Sequence, residues 1–332
     1  MVIISQHIEA FLCEYLIHQR GLSPHTCDSY AYSFLLLFEF AAKKYKVPPS
    51  SLMLEQLKAT LISDFLEDLE KTRQNSPDTR NIRLAAIKSF FRFLEYRLPA
   101  RLDQIRAVLA IPFKKTDSRL VSYLNQEEIQ ALLNAPNPTT RMGIRDRAML
   151  HVAICAGLRV SELVGLQTND LTSSQKSILV HGKGRRERAL PLWQVTTTAL
   201  RAWLAIRGET TTPEVFVNAR GEPMTRWGFA YLLKSHVKTA MCHCPSLSKK
   251  RVSPHVLRHA CAMIILQATQ DIRKVALWLG HSNLATSEIY TRADPSEKLE
   301  AIEQIVPPHL RKGTFRPPDK LLAMLKASNN KV

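Results

Sequence analysis

Residues 253–292 read SPHVLRHACAMIILQATQDIRKVALWLGHSNLATSEIYTR, where histidine, arginine and tyrosine interrupt a run of core-forming residues. Ser253-Pro254 is a helix start, with a hydroxyl at the N-cap and proline at the first helical position. On the helix that follows, His255 and Arg258 are three apart and share a face. A tight Gly280-His281-Ser282-Asn283 break then leads to a short segment ending in Tyr290. Burying so many hydrogen-bonding groups costs free energy unless something needs them, so the stretch invites a chemical reading. A guanidinium fork can hold anionic oxygens, a histidine can move a proton, and a deprotonated tyrosine is a nucleophile.

Two earlier segments carry the same kinds of group. In CAGLRVSELVGLQTNDL, Arg159 and Glu162 are three apart at a helix start, where a carboxylate can orient a guanidinium. The plain alternative is a surface ion pair worth under about 1 kcal/mol. SILVHGKGRRERALPL reads as a β-hairpin whose tip holds Lys183 between two glycines, with Arg185 and Arg186 just beyond. A lysine on a glycine turn is ordinarily solvated, and the GxxxxGK[ST] spacing of a phosphate-binding loop is absent. Cys242-His243-Cys244 has no second pair at the separation a structural zinc site needs. His255 and His259 are four apart as in a zinc-protease helix, but Val256 stands where that helix needs glutamate. No metal or cofactor is expected, and His259 reads as a packing or capping residue.

The elements that must position these groups follow from periodicity. Apolar spacing predicts a helix over 7–19, a second after Ser23-Pro24, a third over 57–71 and a fourth opened by Ser76-Pro77. The fourth carries Arg80, Arg83, Lys88 and Arg92 opposite its apolar stripe. That is either a solvated charged face or a phosphate-contacting one. Further helices are expected over 125–134, 143–155, 192–207 and 227–240, with a short apolar strand over 215–217. Beyond Tyr290, Asp294-Pro295 resembles another helix start, and residues 320–326 a last amphipathic turn. The pattern breaks near Pro112, which divides the chain into a helical domain over 1–112, a basic linker over 113–119, a second domain over 120–306 and an extension over 307–332.

A formal charge of +17 over 332 residues points to a polyanionic partner. No apolar stretch is long enough to cross a bilayer, and 34–42 is interrupted by Glu39. The beginning, MVIISQHIEA, lacks a signal peptide's basic region, and six cysteines do not make a disulfide framework. A reduced, cytoplasmic protein with no membrane partner is the expectation.

Taken in chain order, GLRVSEL, GKG, PHVLRH, LGH and EIYTR resemble the tyrosine recombinase (phage integrase) family, Xer-like members above all. GLSPHT and SPDTRNIRLAAIKSFFRFL resemble that family's helical core-binding domain. The likeness runs to about Arg292; Val256 and the ACAM after His259 depart from it mildly. It implies a mainly α fold with a small β-sheet in the second domain, the two domains forming a C-shaped clamp on double-stranded DNA. It also implies a catalytic set of Arg159, Lys183, His255, Arg258, His281 and the nucleophile Tyr290, with Glu162 in support. DNA contacts are expected from Arg80, Arg83, Lys88, Arg92, Arg185 and Arg186. The implied activity is site-specific recombination of a mobile element through a 3′-phosphotyrosine, by a tetramer on two sites and in company with other recombinases of the element. A catalytically silent DNA-binding factor on the same fold and a type IB topoisomerase are the competing classes.

Overall fold

The structure is a computed structural model and describes residues 3–116, 121–172, 174–182, 187–208, 210–281 and 283–293. The chain divides into two units, Met1–Ser118 and Arg119–Val332.

The first unit is a helical cluster. Helix α1 (Ile4–Glu9) continues through Ala10–Gln19 with π-type bonding, and α2 (Pro24–Tyr45), α3 (Ala59–Lys71), α4 (Pro77–Glu95) and α5 (Leu102–Leu109) follow. Each predicted helix is present, and proline at the first position opens α2 and α4. Ser76 caps α4 by accepting the Thr79 N–H at 3.3 Å, whereas Ser23 makes no side-chain capping bond. The core centres on Phe11, whose ring lies 5.3 Å from Phe90, 5.4 Å from Phe93 and 5.9 Å from Phe34. These rings come from α2, α4 and the π-helical turn, so burial of aromatic surface fixes how the three elements meet.

In the second unit, the described residues form α6 (Gln126–Asn134), α7 (Arg141–Ala156), α8 (Val160–Val164), α9 (Gln194–Arg207), α10 (Arg226–Met241), α11 (Pro254–Thr269), α12 (Ile272–Leu279) and α13 (Glu288–Ala293), with one hairpin between α8 and α9. Helix α6 starts on a capping box: Asn125 Oδ1 accepts the Glu128 N–H at 2.8 Å, and Glu128 accepts the Asn125 N–H at 2.9 Å. Helix α7 is buried along nearly its whole length from Ala148 to Ala156. It ends at Gly157, where φ is +59°. A Cβ there would lie 2.7 Å from Leu279 Cδ2 and 2.8 Å from Cys261 Sγ, so glycine lets α7 end directly against α11 and α12.

The predicted hairpin forms from β1 (Ser177–His181) and β2 (Glu187–Pro191), antiparallel, with Ile178 opposite Leu190 and Val180 opposite Arg188. Side chains alternate between faces along a strand, so Arg188 shares the inward face with Ile178, Val180 and Leu190. The expected strand over 215–217 is not one. Val215, Phe216 and Val217 are fully buried, but of the three only Val217 forms a bridge, an isolated one with Pro223, beside that of Glu214 with Gln167. An apolar run of three is equally consistent with a buried connection.

Candidate active site

The site grows from one carboxylate. Glu162 is the third residue of α8 and its side chain is 5 % exposed. It accepts the Arg159 backbone N–H at 2.9 Å and Arg159 Nη1 at 2.8 Å. From the opposite side, Arg188 on β2 reaches the same group, Nη2 to Oε2 at 2.8 Å and Nη1 to Oε1 at 3.3 Å. Burial alone would raise the Glu162 pKa. The hydrogen bonds and charges of Arg188 and Arg159 outweigh it and hold the carboxyl below its usual range. The pair three apart in sequence is therefore not a surface ion pair but one side of a three-member cluster.

Arg258, on the first turns of α11, is 4 % exposed. Its Nη1 donates to the Gly157 carbonyl at 2.5 Å and its Nη2 to the Leu279 carbonyl at 2.7 Å. These are the C-terminal carbonyls of α7 and α12, which carry partial negative charge. Burial, then the nearby Arg159 and Arg188 charges, push the Arg258 pKa down to about 10, so it remains a cation at neutral pH. Arg188 Nε donates to the Trp278 carbonyl at 3.2 Å. Three guanidinium groups thus surround one carboxylate, an excess of positive charge that an anion would offset.

Tyr290, on α13, is 1 % exposed. Its ring stacks against His281, centroids 6.5 Å apart and planes within 8°. Burial pushes its phenol up to about 12, against the Arg258 charge that pulls it down. His281 follows the left-handed Gly280, whose added Cβ would press on the Arg188 guanidinium at 3.2 Å. His281 Nδ1 lies 2.7 Å from the Ser287 hydroxyl. Burial, then Arg258, Arg159 and Arg188, lower its pKa to about 4, so it is neutral.

The two histidines of α11 do not behave as their sequence positions imply. His255 is exposed and has no hydrogen bond among the described residues. His259, read from sequence as a packing or capping residue, instead places Nδ1 3.0 Å from the Tyr290 hydroxyl. Burial, then the charges of His255 and Arg258, hold His259 at about 4. Ser253 occupies the N-cap of α11 but makes no side-chain capping bond.

Arg188 is the group that sequence reasoning missed. Its signal was available: it is a cation two residues before Leu190, on the inward face of an alternating strand. Lys183, Arg185 and Arg186 lie outside the described residues. The strands that flank them are braced by His181, whose ring lies 2.9 Å from Asp170 Oδ1 and 3.1 Å from Glu187 Oε1.

The cationic stripe of α4 is not the open charged face that its spacing implies. Arg80 is buried and donates to the Asn81 side chain and the Pro112 carbonyl, both at 3.2 Å. Arg83 donates to Ser29 O at 3.3 Å and Ser33 Oγ at 3.0 Å, and lies 4.9 Å from the Tyr32 ring centre. The Lys88 ammonium is 4.7 Å from the Phe113 ring centre, and burial lowers its pKa. Arg92 is exposed. Three of the four cations therefore already have partners within the protein, because helix α4 is buried on more than one side.

Among the described residues no group of three or more His, Cys, Asp or Glu side chains is placed to hold a metal ion. Nor is any helix among them long and apolar enough to cross a membrane.

Comparison with known proteins identifies the family of the chain. Residues 122–297 match the phage integrase family, and residues 8–97 match the phage integrase N-terminal SAM-like domain. The provisionally named integrase/recombinase y4rC of Sinorhizobium fredii is 42% identical over 96% of this chain and 97% of its own. The tyrosine recombinase XerD of Haemophilus influenzae is 34% identical, covering 90% of this chain and 96% of its own. Among solved structures, the Tn1549 transposon integrase in complex with circular intermediate DNA has the same fold. It superposes with a TM-score of 0.68 at 17% identity, over 92% of this chain and 100% of that one. The chain has the fold and the sequence relatives of a tyrosine site-specific recombinase, an enzyme of DNA recombination. The chain belongs to the phage integrase family.

Proposed function

We propose that this protein recombines DNA by attack of Tyr290 on a phosphodiester, giving a 3′-phosphotyrosine and a free 5′-hydroxyl. The observation that carries the reading is the charge imbalance beside the tyrosine, where Arg159, Arg188 and Arg258 face the single carboxylate of Glu162. A phosphodiester brings one negative charge and gathers more as its phosphorus becomes five-coordinate. Guanidinium forks suit that change better than ammonium groups, because they grip two oxygens at once. Keeping the bond energy in an aryl phosphate lets the strand rejoin without ATP.

On this reading Arg159 and Arg258 clamp the non-bridging oxygens, and Arg188 with Glu162 holds Arg159 in place. If the Ser287 hydroxyl donates to His281 Nδ1, the opposite ring nitrogen carries the hydrogen and can donate to the phosphate. Lys183 gives the leaving 5′-oxygen its proton. Arg92, Arg185 and Arg186 contact the duplex backbone, while Arg80, Arg83 and Lys88 shape the surface that carries it. The working unit is a tetramer on two DNA sites, and the substrate is a mobile element and its target. Resemblance to a transposon integrase and to Xer recombinases supports that assignment. Mapping the covalent junctions on the host element tests it.

The chemistry itself is tested with a duplex nicked next to the scissile phosphate, which traps the covalent intermediate. Wild-type protein is expected to form a protein–DNA adduct that Tyr290→Phe cannot form. An adduct that survives Tyr290→Phe overturns the assignment. Absence of adduct on every candidate site leaves a DNA-binding role instead.

A further inference from the structure

We infer that His259, and not His255, accepts the Tyr290 proton as the nucleophile attacks. The inference rests on the phosphotyrosine reading above and adds a residue to it. His259 is the side chain that hydrogen-bonds the reacting oxygen, Nδ1 to Oη at 3.0 Å, and it comes from a different helix, so the contact is made by tertiary packing. His255 sits one turn earlier on α11, exposed, with no hydrogen bond among the described residues.

The electrostatics leave His259 unprotonated but weakly basic in the DNA-free protein, and the negative charge of a bound phosphodiester would raise its basicity. His255 and Arg258 on the same helix and His281 in the loop before α13 all face the imidazole, and none of them is an anion. These groups and burial keep His259 unprotonated down to a pH of about 4, so a free lone pair is available throughout the physiological range. The phenol, held up to about 12, keeps its proton in the DNA-free protein. The gap between the two values means that the proton cannot move first. It moves as the Oη–P bond forms, because an oxygen that becomes an aryl phosphate ester loses its basicity.

The step balances. Tyr290 Oη forms a bond to phosphorus and its proton passes to His259 Nδ1. The P–O5′ bond breaks, and the 5′-oxygen takes a proton from the general acid. In rejoining, the 5′-hydroxyl returns its proton to the deprotonated general acid and attacks phosphorus, and His259 returns its own proton to the departing phenolate. Burial of Tyr290 against His281 and His259 also keeps the hydroxyl from water until DNA arrives.

The test uses the full-length protein and the nicked duplex, following adduct formation against pH. The variant is His259→Asn, whose amide stands near the Nδ1 position and keeps a hydrogen bond but has no basic nitrogen. Duplex binding measured in parallel reports that the protein is folded. Adduct formation is expected to slow by about 100-fold or more. The rate, level between pH 6 and 8 in wild type as far as this group is concerned, should climb about tenfold per pH unit in the variant. Placing 3-fluorotyrosine at position 290, a more acidic phenol, should then accelerate the variant more than it changes wild type.

A near-wild-type rate with a level pH profile in His259→Asn overturns the inference. So does a slow variant with neither the steeper pH dependence nor the preferential response to fluorination, which would mark a structural role. Finding that signature in His255→Asn instead would move the role to that residue. Should His259→Asn bind DNA poorly, His259→Ala with added imidazole replaces it; rescue of adduct formation is expected, and its failure counts against the inference. Failure of wild type itself to form any adduct would remove the phosphotyrosine reading as well, an outcome separable from all of these.

Discussion

The two units each bury arginines, and they do so on opposite terms. In the first unit, Arg80 and Arg83 give their hydrogen bonds to Pro112 O, Ser29 O and Ser33 Oγ, and Lys88 lies over Phe113. Each cation there has its own carbonyl, hydroxyl or ring. In the second unit, Arg159 and Arg188 share the Glu162 carboxylate while Arg258 lies against two helix-terminal carbonyls. Burial first, and then repulsion from Arg159 and Arg188, which have too few anions between them, pull Arg258 down to about 10. Burial of a cation by itself therefore says little about function. An uncompensated group of them makes a site that attracts an anion.

The contrast breaks most sharply if equivalent truncations behave alike. Arg258→Ala should lower strand cleavage by on the order of a thousandfold, as expected for loss of preorganised charge stabilisation, with duplex binding largely kept. Arg80→Ala should leave the cleavage rate of bound substrate unchanged. Quenched single-turnover assays on the nicked duplex measure both. Equal loss of binding and cleavage in Arg258→Ala would sink its role as a transition-state clamp.

Glu162→Gln removes the only carboxylate in the cluster and should destabilise the second unit by about 3 kcal/mol, the scale for breaking a buried ion pair. Added sulfate should restore the melting temperature more in this variant than in wild type, since the anion fills the deficit. A melting temperature indifferent to sulfate would mean that the three guanidinium groups do not form an anion site. All four tryptophans, Trp193, Trp203, Trp227 and Trp278, lie in the second unit, so their fluorescence follows its unfolding alone.

Acid should act on the same unit. His151, His259 and His281 are each held at about 4, below the 6.5 of an unfolded histidine. Between those values the unfolded chain binds more protons than the folded one. The stability is thus complete above about pH 6.5 and is lost as pH falls towards 4. For His151, 7% exposed, the loss is on the order of 3 kcal/mol; the two more accessible histidines contribute less. His151→Leu should flatten the acid limb of a tryptophan-monitored stability curve. An unchanged limb would show that His151 titrates normally.

The smallest effects lie on α4. Arg92→Ala should lower the salt dependence of duplex binding by about one counterion, as for loss of a phosphate contact. Arg80→Ala should leave that slope unchanged and cost about 1–2 kcal/mol of first-unit stability, through the partners left unpaired. Identical salt slopes for the two variants would remove the distinction between the occupied and the free members of the stripe.

Much of this is legible in the sequence. Ser-Pro at 76–77 and the apolar spacing located the helices, and the glycine-flanked turn at 182–184 located the hairpin, because caps, turns and periodicity are local properties. The run over 215–217 was misread because three apolar residues cannot distinguish a strand from a buried connection. Arg188 was overlooked for a different reason. Its inward direction follows from the strand's alternation, but its partners Glu162 and Trp278 are 26 and 90 residues away. The α4 stripe misled similarly, since helical spacing reveals that residues share a face but not what lies against it.

By itself, then, the sequence determined the elements, the family and the identities of the groups capable of chemistry, because those depend on local pattern and on motifs in order. Only the tertiary structure decided which of them meet. It placed His259 rather than His255 on Tyr290, put Arg188 on Glu162 and ended α7 at Gly157 against α11 and α12. Such contacts depend on the packing of distant helices, and in the tight spaces they create a neighbouring charge or the loss of water moves a pKa by units. For the stretch 253–292, this means that its second histidine, not its first, is hydrogen-bonded to Tyr290.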